Sequence, residues 1–291
     1  METLNRISQN LNKTYLWFII KLRMLEKILL DKIDEVDECK QKLPLKDIKS
    51  LLTEKPKSTE RKFFNSLLNR ISSSKPGLIA EIKFASPSKG IIRDDLSPED
   101  VAKVYNDNNY VSCISVLTEK KYFKGNPSYI QRVKNITNKP ILRKDFIIDE
   151  YQIYESAYLG ADCILLIATC LTKSQLSEYL IIAQELGLDT LVEIYDERDL
   201  VKVEGLPINM IGVNSRNLKT LEVSIENQEK IFEKIPKEIP IKVAESGIKT
   251  KDDITRLIKV GFNAFLIGET LMKAENISSK IDELFENVKI S

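Results

Sequence analysis

Two patterns of hydrophobic positions alternate along the chain from residue 78 onwards. Short runs of apolar or β-branched residues are each followed by a segment whose apolar residues recur every three or four positions. The first pattern is typical of buried strands and the second of helices with one apolar face. Strands are predicted at residues 78–84, 113–117, 141–144, 163–168, 190–194, 210–213, 241–244 and 264–267, and helices at 98–108, 127–136, 150–159, 173–186, 197–203, 225–235, 251–260 and 277–288.

Regular alternation of strands and helices predicts a parallel sheet, because each parallel connection needs a crossover that is usually a helix. Eight such units within residues 77–291 match the usual size of a closed (β/α)8 barrel. We therefore predict one α/β domain of the TIM-barrel type at residues 77–291. An open doubly wound sheet is the alternative, but the GxGxxG sequence expected after its first strand is missing.

Three helical segments are predicted ahead of the first strand. The first begins at Met24 and the others span 45–52 and 58–71, and we expect residues 24–76 to cover part of the barrel. Residues 1–23 are polar and Asn-rich and end in an apolar run too short to span a bilayer. We expect them to be a non-native or poorly ordered extension, with Met24 as the natural start. A membrane-touching or targeting tail is the alternative.

The composition narrows the classes of function. Lys and Arg total 44 against 43 Asp and Glu, and a net charge of +1 gives no reason to expect nucleic acid or an anionic membrane as a partner. Four cysteines without a CxxC pair are typical of reduced residues in a cytoplasmic protein. The chain has no histidine, which excludes Ser-His-Asp and Cys-His catalysis and every His-ligated metal site. Acid–base chemistry therefore falls to Lys, Glu, Asp, Tyr or Cys.

Polar and ionisable residues stand at the carboxyl ends of most predicted strands. The first strand lies in the stretch LIAEIKFASPSKG, where Glu81 and Lys83 share a face because side chains alternate along a strand. Later strands end in Lys144, Glu193, Asn214 and Arg216, Glu245 and Ser246, and Gly268 and Glu269. In a closed parallel barrel these ends meet at one mouth. A salt bridge that caps the barrel is the alternative for each residue alone, but the carboxylates Glu81, Glu193 and Glu245 together with the two lysines predict an acid–base site.

Three turns at the same mouth predict phosphate binding. The first strand runs into a turn from Ser86 to Gly90 that holds hydroxyls, a lysine and a glycine. Gly247 follows the seventh strand and Gly268 the eighth, and many barrels bind phosphate in these two loops through backbone N–H groups and a short helix N-terminus. Each glycine alone is compatible with an ordinary turn, so the prediction depends on the pair.

From about Met24 to the C-terminus, the chain resembles the indole-3-glycerol-phosphate synthase family of tryptophan biosynthesis. The resemblance is carried by the ordered blocks LIAEIKFASPSKG, SVLTEKKYFKGNPSYI, PILRKDFIIDEYQIYES, GADCILLIA, LVEI, IGVNSRNL, VAESGI and FLIGETLM. It implies a carboxy-lyase that converts 1-(o-carboxyphenylamino)-1-deoxyribulose 5-phosphate into indole-3-glycerol phosphate, CO2 and water. It further implies a cytoplasmic enzyme without metal or organic cofactor, whose partner is this small anionic substrate. We expect a monomer, with contacts to other enzymes of the pathway left open.

The resemblance also assigns roles to individual residues. Lys144 resembles the general acid that protonates the ribulose carbonyl, Glu193 the other principal acid–base residue, and Lys83, paired with Glu81, an acid or a carboxylate-binding cation. Asn214, Arg216 and Glu245 resemble substrate-positioning residues, and Ser86, Gly247, Gly268 and Glu269, with Ser246 beside them, resemble the phosphate-binding set. Phe123 and Phe146 either pack on the aromatic ring of the substrate or belong to the core.

These roles agree with the chemistry that the reaction needs. Carbon–carbon bond formation at a carbonyl needs a proton donor, and a lysine enclosed by apolar walls or other cations has a pKa lowered toward neutrality. The assignment of each lysine to a step stays open. A different phosphate-binding barrel enzyme, such as a sugar-phosphate isomerase, and a non-catalytic barrel remain the alternatives.

Overall fold

The computed structural model of the protein describes residues 24–53, 60–217 and 222–290, and its centre is a closed barrel of eight parallel strands. The strands are β1 (Gly77–Ile82), β2 (Val111–Leu117), β3 (Ile141–Lys144), β4 (Cys163–Ile167), β5 (Asp189–Ile194), β6 (Met210–Asn214), β7 (Ile241–Glu245) and β8 (Ala264–Ile267). β1 closes the barrel by pairing with both β2 and β8, with Glu81 opposite Ser115 and Ala80 opposite Ile267. The predicted TIM barrel is confirmed, and the open sheet is excluded.

Helices surround the barrel, and within residues 24–53 and 60–76 three helices precede it. The leading helices are α1 (Met24–Lys42), α2 (Leu45–Thr53) and α3 (Lys62–Ser72). Those of the barrel are α4 (Pro98–Asp107), α5 (Ser128–Lys134), α6 (Glu150–Leu159), α7 (Lys173–Glu185), α8 (Glu197–Val203), α9 (Ile225–Phe232), α10 (Lys251–Val260), α11 (Glu269–Met272) and α12 (Ile277–Phe285). A short 3-10 turn, Ala168–Cys170, follows β4. Within the described ranges no helix is long and apolar enough to cross a membrane.

Serine and threonine side chains fix the start of three helices. Ser97, Thr172 and Thr250 each accept a hydrogen bond from the backbone N–H three residues later, and the side chain at that later position accepts one from the cap's own N–H. Such reciprocal caps satisfy two N–H groups that a helix N-terminus otherwise leaves unpaired. The predicted starts of α4, α7 and α10 accordingly agree with the structure.

Alternation along the strands divides the core into two layers. Leu78, Ala80 and Ile82 pack outward against the surrounding helices, whereas Ile79 faces the barrel interior. The interior layer is closed at one end by α3, which inserts the fully buried Phe63 and Leu67, and it continues at the other end into Leu25 and Ile28 of α1. The site described below therefore lies between the barrel and α1.

Several predicted boundaries differ from the observed ones. β1 ends at Ile82 rather than at residue 84, because the chain leaves the barrel there and pairs Ala85–Ser86 with Gly90–Ile91 in a small antiparallel ribbon. The α9 helix ends at Phe232 rather than at residue 235, ahead of a proline at position 236, which disfavours helix in the residue before it. The third helix begins at Lys62, and residues 58–59 of its predicted start lie outside the described residues, as does the predicted extension 1–23.

Candidate active site

One cavity opens at the carboxyl ends of the barrel strands. Its wall includes every site residue that the sequence predicts, namely Glu81, Lys83, Ser86, Phe123, Lys144, Phe146, Glu193, Asn214, Arg216, Glu245, Ser246, Gly247, Gly268 and Glu269. Met24, Leu25 and Ile28 of α1 line the same cavity. The structure therefore brings the predicted residues together, while their roles remain predictions.

Lys144 is the centre of the charged groups. Its Nζ lies 2.7 Å from Glu193 Oε2 and 2.9 Å from Glu245 Oε2. The other oxygen of Glu193, Oε1, accepts a hydrogen bond of 3.0 Å from Asn214 Nδ2. These four residues come from the ends of β3, β5, β6 and β7, and both carboxylates are almost completely buried. An ammonium held between two carboxylates can deliver a proton, and an adjacent carboxylate can accept one.

Charge neighbours decide the protonation of this centre. Burial lowers the pKa of Lys144, but the carboxylates of Glu193 and Glu245 outweigh burial and raise the pKa above its ordinary value. Lys144 therefore does not have the lowered pKa of a lysine among apolar walls or other cations, because its nearest neighbours are anionic. Burial raises the pKa of Glu193, yet Lys144 and Asn214 bring it below its ordinary value. Burial and the Glu193 carboxylate raise the pKa of Glu245 to about 8.

Two glycines make room for the carboxylates. A Cβ atom on Gly212 of β6 would lie 2.0 Å from Glu245 Oε1, and one on Gly268 would lie 2.2 Å from Glu81 Oε2. Neither space tolerates a methyl group without displacing a carboxylate. The Oε2 atom of Glu81 forms an ion pair with Lys83 Nζ, so the predicted pairing of these two residues is present in the structure.

Aromatic and aliphatic side chains form one side of the cavity. The rings of Phe123 and Phe146 lie with their centroids 6.2 Å apart, and Leu25 and Ile28 of α1 belong to the same apolar cluster. The loop that carries Phe123 is folded around Glu119, whose carboxylate accepts hydrogen bonds from three consecutive backbone N–H groups. This wall suits a flat aromatic group.

Hydroxyls, an arginine and the predicted turns form the opposite side. Arg216 Nη1 donates to Ser88 Oγ at 3.2 Å, and Arg216 Nη2 lies 3.7 Å from Glu269 Oε2. The hydroxyl of Thr270 donates to the Ile248 carbonyl at 2.5 Å and so joins the loops after β7 and β8. Ser246 and Gly247 both have positive φ angles, 65° and 79°, and such conformations in a non-glycine residue cluster at ligand sites.

Two buried hydroxyls on this side have no hydrogen-bond partner within the described part of the chain. They are Ser86 Oγ and Ser215 Oγ. A Cβ atom on Gly247 would lie 3.0 Å from Ser215 Oγ, so this hydroxyl stands beside the left-handed turn. Buried hydroxyls are normally paired, and an anion with several acceptor oxygens would pair them.

Sequence reasoning missed Ser215 and the contribution of individual α1 residues. A usable signal was present for Ser215, since it lies between the predicted residues Asn214 and Arg216 at the end of β6. Leu25 and Ile28 were expected only as part of a helix that covers the barrel. Their contact with the cavity depends on how α1 packs, which periodicity alone does not give.

A family model described as indole-3-glycerol phosphate synthase matches residues 25–284 of this chain. The indole-3-glycerol phosphate synthase of Legionella pneumophila (strain Paris) is 42% identical over 261 residues, which are 90% of this chain and 98% of the relative. The protein of the same name from Neisseria meningitidis serogroup C (serotype 2a) is 41% identical over 262 residues, which are 90% and 99% of the two chains.

Solved structures of lower similarity share the barrel fold. A 3-hexulose-6-phosphate synthase superposes with a TM-score of 0.55 at 15% identity, covering 71% of this chain and 97% of its own. A thiamine phosphate pyrophosphorylase from Pyrococcus furiosus gives a TM-score of 0.51 at 15% identity, covering 74% and 95%. These structures support the fold alone. The family model and the close relatives cover nearly all of the described residues, and the chain therefore belongs to the indole-3-glycerol phosphate synthase family.

Proposed function

We propose that this protein converts 1-(o-carboxyphenylamino)-1-deoxyribulose 5-phosphate into indole-3-glycerol phosphate, CO2 and water. The observation that carries the proposal is Lys144, an ammonium held at 2.7 and 2.9 Å from two buried carboxylates inside a cavity with an aromatic side and a hydroxyl-rich side. Family membership names the reaction. The cavity offers complementary groups to each part of this substrate.

Lys144 is the proton donor of ring closure in this proposal. When the aromatic carbon attacks the ribulose carbonyl, negative charge develops on the carbonyl oxygen, and an ammonium within reach neutralises it. The raised pKa of Lys144 keeps the proton in place until that charge appears. Decarboxylation then restores the aromaticity of the ring, and the cavity needs only to orient the carboxylate for this step.

Loss of water needs one acid and one base. Glu193 has a lowered pKa and is oriented by Asn214, which suits it to accept the ring proton. Lys83, with Glu81 at its side, is placed to donate to the leaving hydroxyl or to bind the carboxylate of the substrate. The proton that Lys83 gives to the hydroxyl leaves as part of water, and the ring proton passes to Glu193; exchange with solvent restores both groups. The proton that Lys144 gives in ring closure is consumed overall, because the carboxylate leaves as CO2, and solvent replaces it.

The two sides of the cavity set the orientation of the substrate. Phe123 and Phe146 follow β2 and β3, whereas Ser215, Gly247 and Gly268 follow β6, β7 and β8, on the other side of the closed barrel. We place the anthranilate ring against the phenylalanines and the phosphate against the second group. The free hydroxyls of Ser86 and Ser215 and the loops after β7 and β8 support this phosphate position.

The test is to mix the purified protein with the substrate and to follow indole fluorescence with and without a chelator. We expect product at the same rate in both samples. Absence of product from the wild-type protein, or loss of product with the chelator, would count against the proposal. We also propose that the protein is a monomer, which size-exclusion chromatography would test, and that it acts in the cytoplasm, as its four cysteines without a CxxC pair suggest.

A further inference from the structure

Lys32 is a buried cation on a helix that precedes the barrel. It lies on the apolar stripe of α1, one turn from Ile28 and one turn from Val36, and it is 2% exposed. Its Nζ lies 2.9 Å from Asp145 Oδ1 and 2.6 Å from Glu35 Oε2. Burial lowers the pKa of Lys32, but these two carboxylates outweigh burial and raise it, so the side chain is charged.

The partner Asp145 stands between two residues of the cavity. It follows Lys144 directly and precedes Phe146, whose backbone N–H donates to Asp145 Oδ1 at 2.9 Å. Its Oδ2 accepts a hydrogen bond of 2.6 Å from Thr118 Oγ1 and lies 3.3 Å from Arg143 Nη2. The carboxylate therefore fixes the backbone on which the proposed acid and one aromatic wall residue are carried.

The acidic neighbours of Lys32 on α1 hold the other aromatic residue. Glu35 pairs with Lys120 at 2.9 Å, and Asp31 pairs with Lys121 at 2.8 Å. Asp31 also accepts a hydrogen bond from the Tyr122 hydroxyl. Phe123 comes next in the chain and lines the cavity. Three consecutive residues ahead of Phe123 are thus tied to one turn of α1.

We propose that Lys32 is a positioning residue for the ring-binding side of the cavity. Through Asp145 it holds the end of β3 that carries Lys144 and Phe146, and through Glu35 it contacts one of the two α1 carboxylates that hold the loop of Phe123. This role rests on the proposed function. A buried ion pair seldom stabilises a protein more than well-packed apolar side chains do. The Lys32–Asp145 pair, next to Lys144 in the chain, is therefore better explained by the positioning of the cavity wall than by stability.

The decisive variant is Lys32→Met, which keeps the length of the side chain and removes its charge. Lys40→Met is the control for a charge lost from the same helix, because Lys40 forms an ion pair with Asp149 at 2.7 Å that is partly exposed and away from the cavity wall. Simple loss of folded protein lowers the apparent kcat and leaves KM unchanged. Misplaced walls raise KM in the molecules that are folded. We expect KM to rise about tenfold or more in Lys32→Met, about the effect of one lost charge-assisted hydrogen bond, and to stay within about twofold in Lys40→Met.

A second variant covers the case in which Lys32→Met does not fold. Asp145→Asn keeps the shape of the partner and removes its charge, and it should raise KM in the same way. If both residues act through one ion pair, the double variant loses no more than the worse single variant. Additive losses, or an unchanged KM in either folded single variant, would overturn the inference.

Hydrogen exchange supplies a readout that does not depend on activity. In Lys32→Met the amides of residues 119–123 and 145–147 should exchange faster than in the wild type, and in Lys40→Met they should not. Unchanged exchange in these two segments overturns the role of Lys32 even if the enzyme is active. If the wild-type protein has no synthase activity but Lys32→Met still exchanges faster in these segments, the proposed function is refuted and the positioning role of Lys32 stands.

Discussion

Gly212→Ala is expected to disable the ionic centre with a single methyl group. The new Cβ would lie 2.0 Å from Glu245 Oε1, so the carboxylate must move. Its other oxygen lies 2.9 Å from Lys144 Nζ, and the movement breaks or lengthens this ion pair. The backbone at position 212 does not have a positive φ, so alanine is otherwise compatible with the strand.

The size of the effect follows from the interaction that is lost. A charge-assisted hydrogen bond contributes about 1.5–3 kcal/mol. Since about 1.4 kcal/mol corresponds to a tenfold change in rate, kcat/KM should fall by about 10- to 150-fold. Overpacking of a buried position should also reduce the free energy of unfolding by about 1–3 kcal/mol.

Gly77→Ala is the control that separates the two effects. Its Cβ would lie 2.7 Å from Leu67 Cδ2, where α3 closes the opposite end of the barrel. Both variants should lose comparable stability in urea titrations, and only Gly212→Ala should lose activity in the indole fluorescence assay. Wild-type activity in a folded Gly212→Ala protein would refute the reasoning, as would equal loss of activity in the two variants.

Three further predictions concern the same cavity. Lys144→Ala should lose about 100- to 10,000-fold in kcat, the range of one general acid, with an unchanged circular dichroism spectrum; near-normal turnover would remove Lys144 from its role. Ser215→Ala should raise KM about two- to tenfold with kcat unchanged, as steady-state kinetics would measure, because one neutral hydrogen bond to the phosphate is lost. Glu245→Gln tests protonation: the pKa of Glu245 rises from 4.5 to about 8 on folding, so its contribution to stability is complete below pH 4.5 and is lost as the pH rises to 8. The free energy of unfolding in urea should therefore fall between pH 4.5 and pH 8 in the wild type more than in Glu245→Gln. The same pH dependence in both proteins would contradict the raised pKa.

Much of the barrel was predictable because its signals are local. Continuous apolar runs predicted all eight strands, and apolar residues at helical spacing predicted the helices between them. The ribbon at Ala85–Ser86 and the four-residue helix α11 were not predicted, because each is too short for a hydrophobic period to appear.

The membership of the site was predictable, but its electrostatics were not. The barrel rule places Lys144, Glu193 and Glu245 at one mouth without any knowledge of distances. Whether the pKa of Lys144 falls or rises depends on which charges lie within a few ångströms, and only the structure supplies the 2.7 and 2.9 Å contacts that raise it. The contact between Asp145 and Lys32 of α1 could not be predicted for the same reason. The only sequence signal was a charged residue on the apolar stripe of α1.

The proton inventory of the ionic centre connects these observations to the chemistry. The raised pKa of Lys144 keeps its ammonium charged, and the lowered pKa of Glu193 keeps that carboxylate ionised. Burial and the Glu193 carboxylate raise the pKa of Glu245, so Glu245 takes up a proton more readily than Glu193 does. Ring closure consumes one proton, and dehydration consumes one and releases one from the ring. A lysine alone, with the lowered pKa that its burial suggests, would hold its proton poorly at pH 7. In the proposed mechanism the neighbouring carboxylates keep the ammonium of Lys144 charged and Glu193 serves as the base, so a site without histidine obtains both its acid and its base from one buried ion pair.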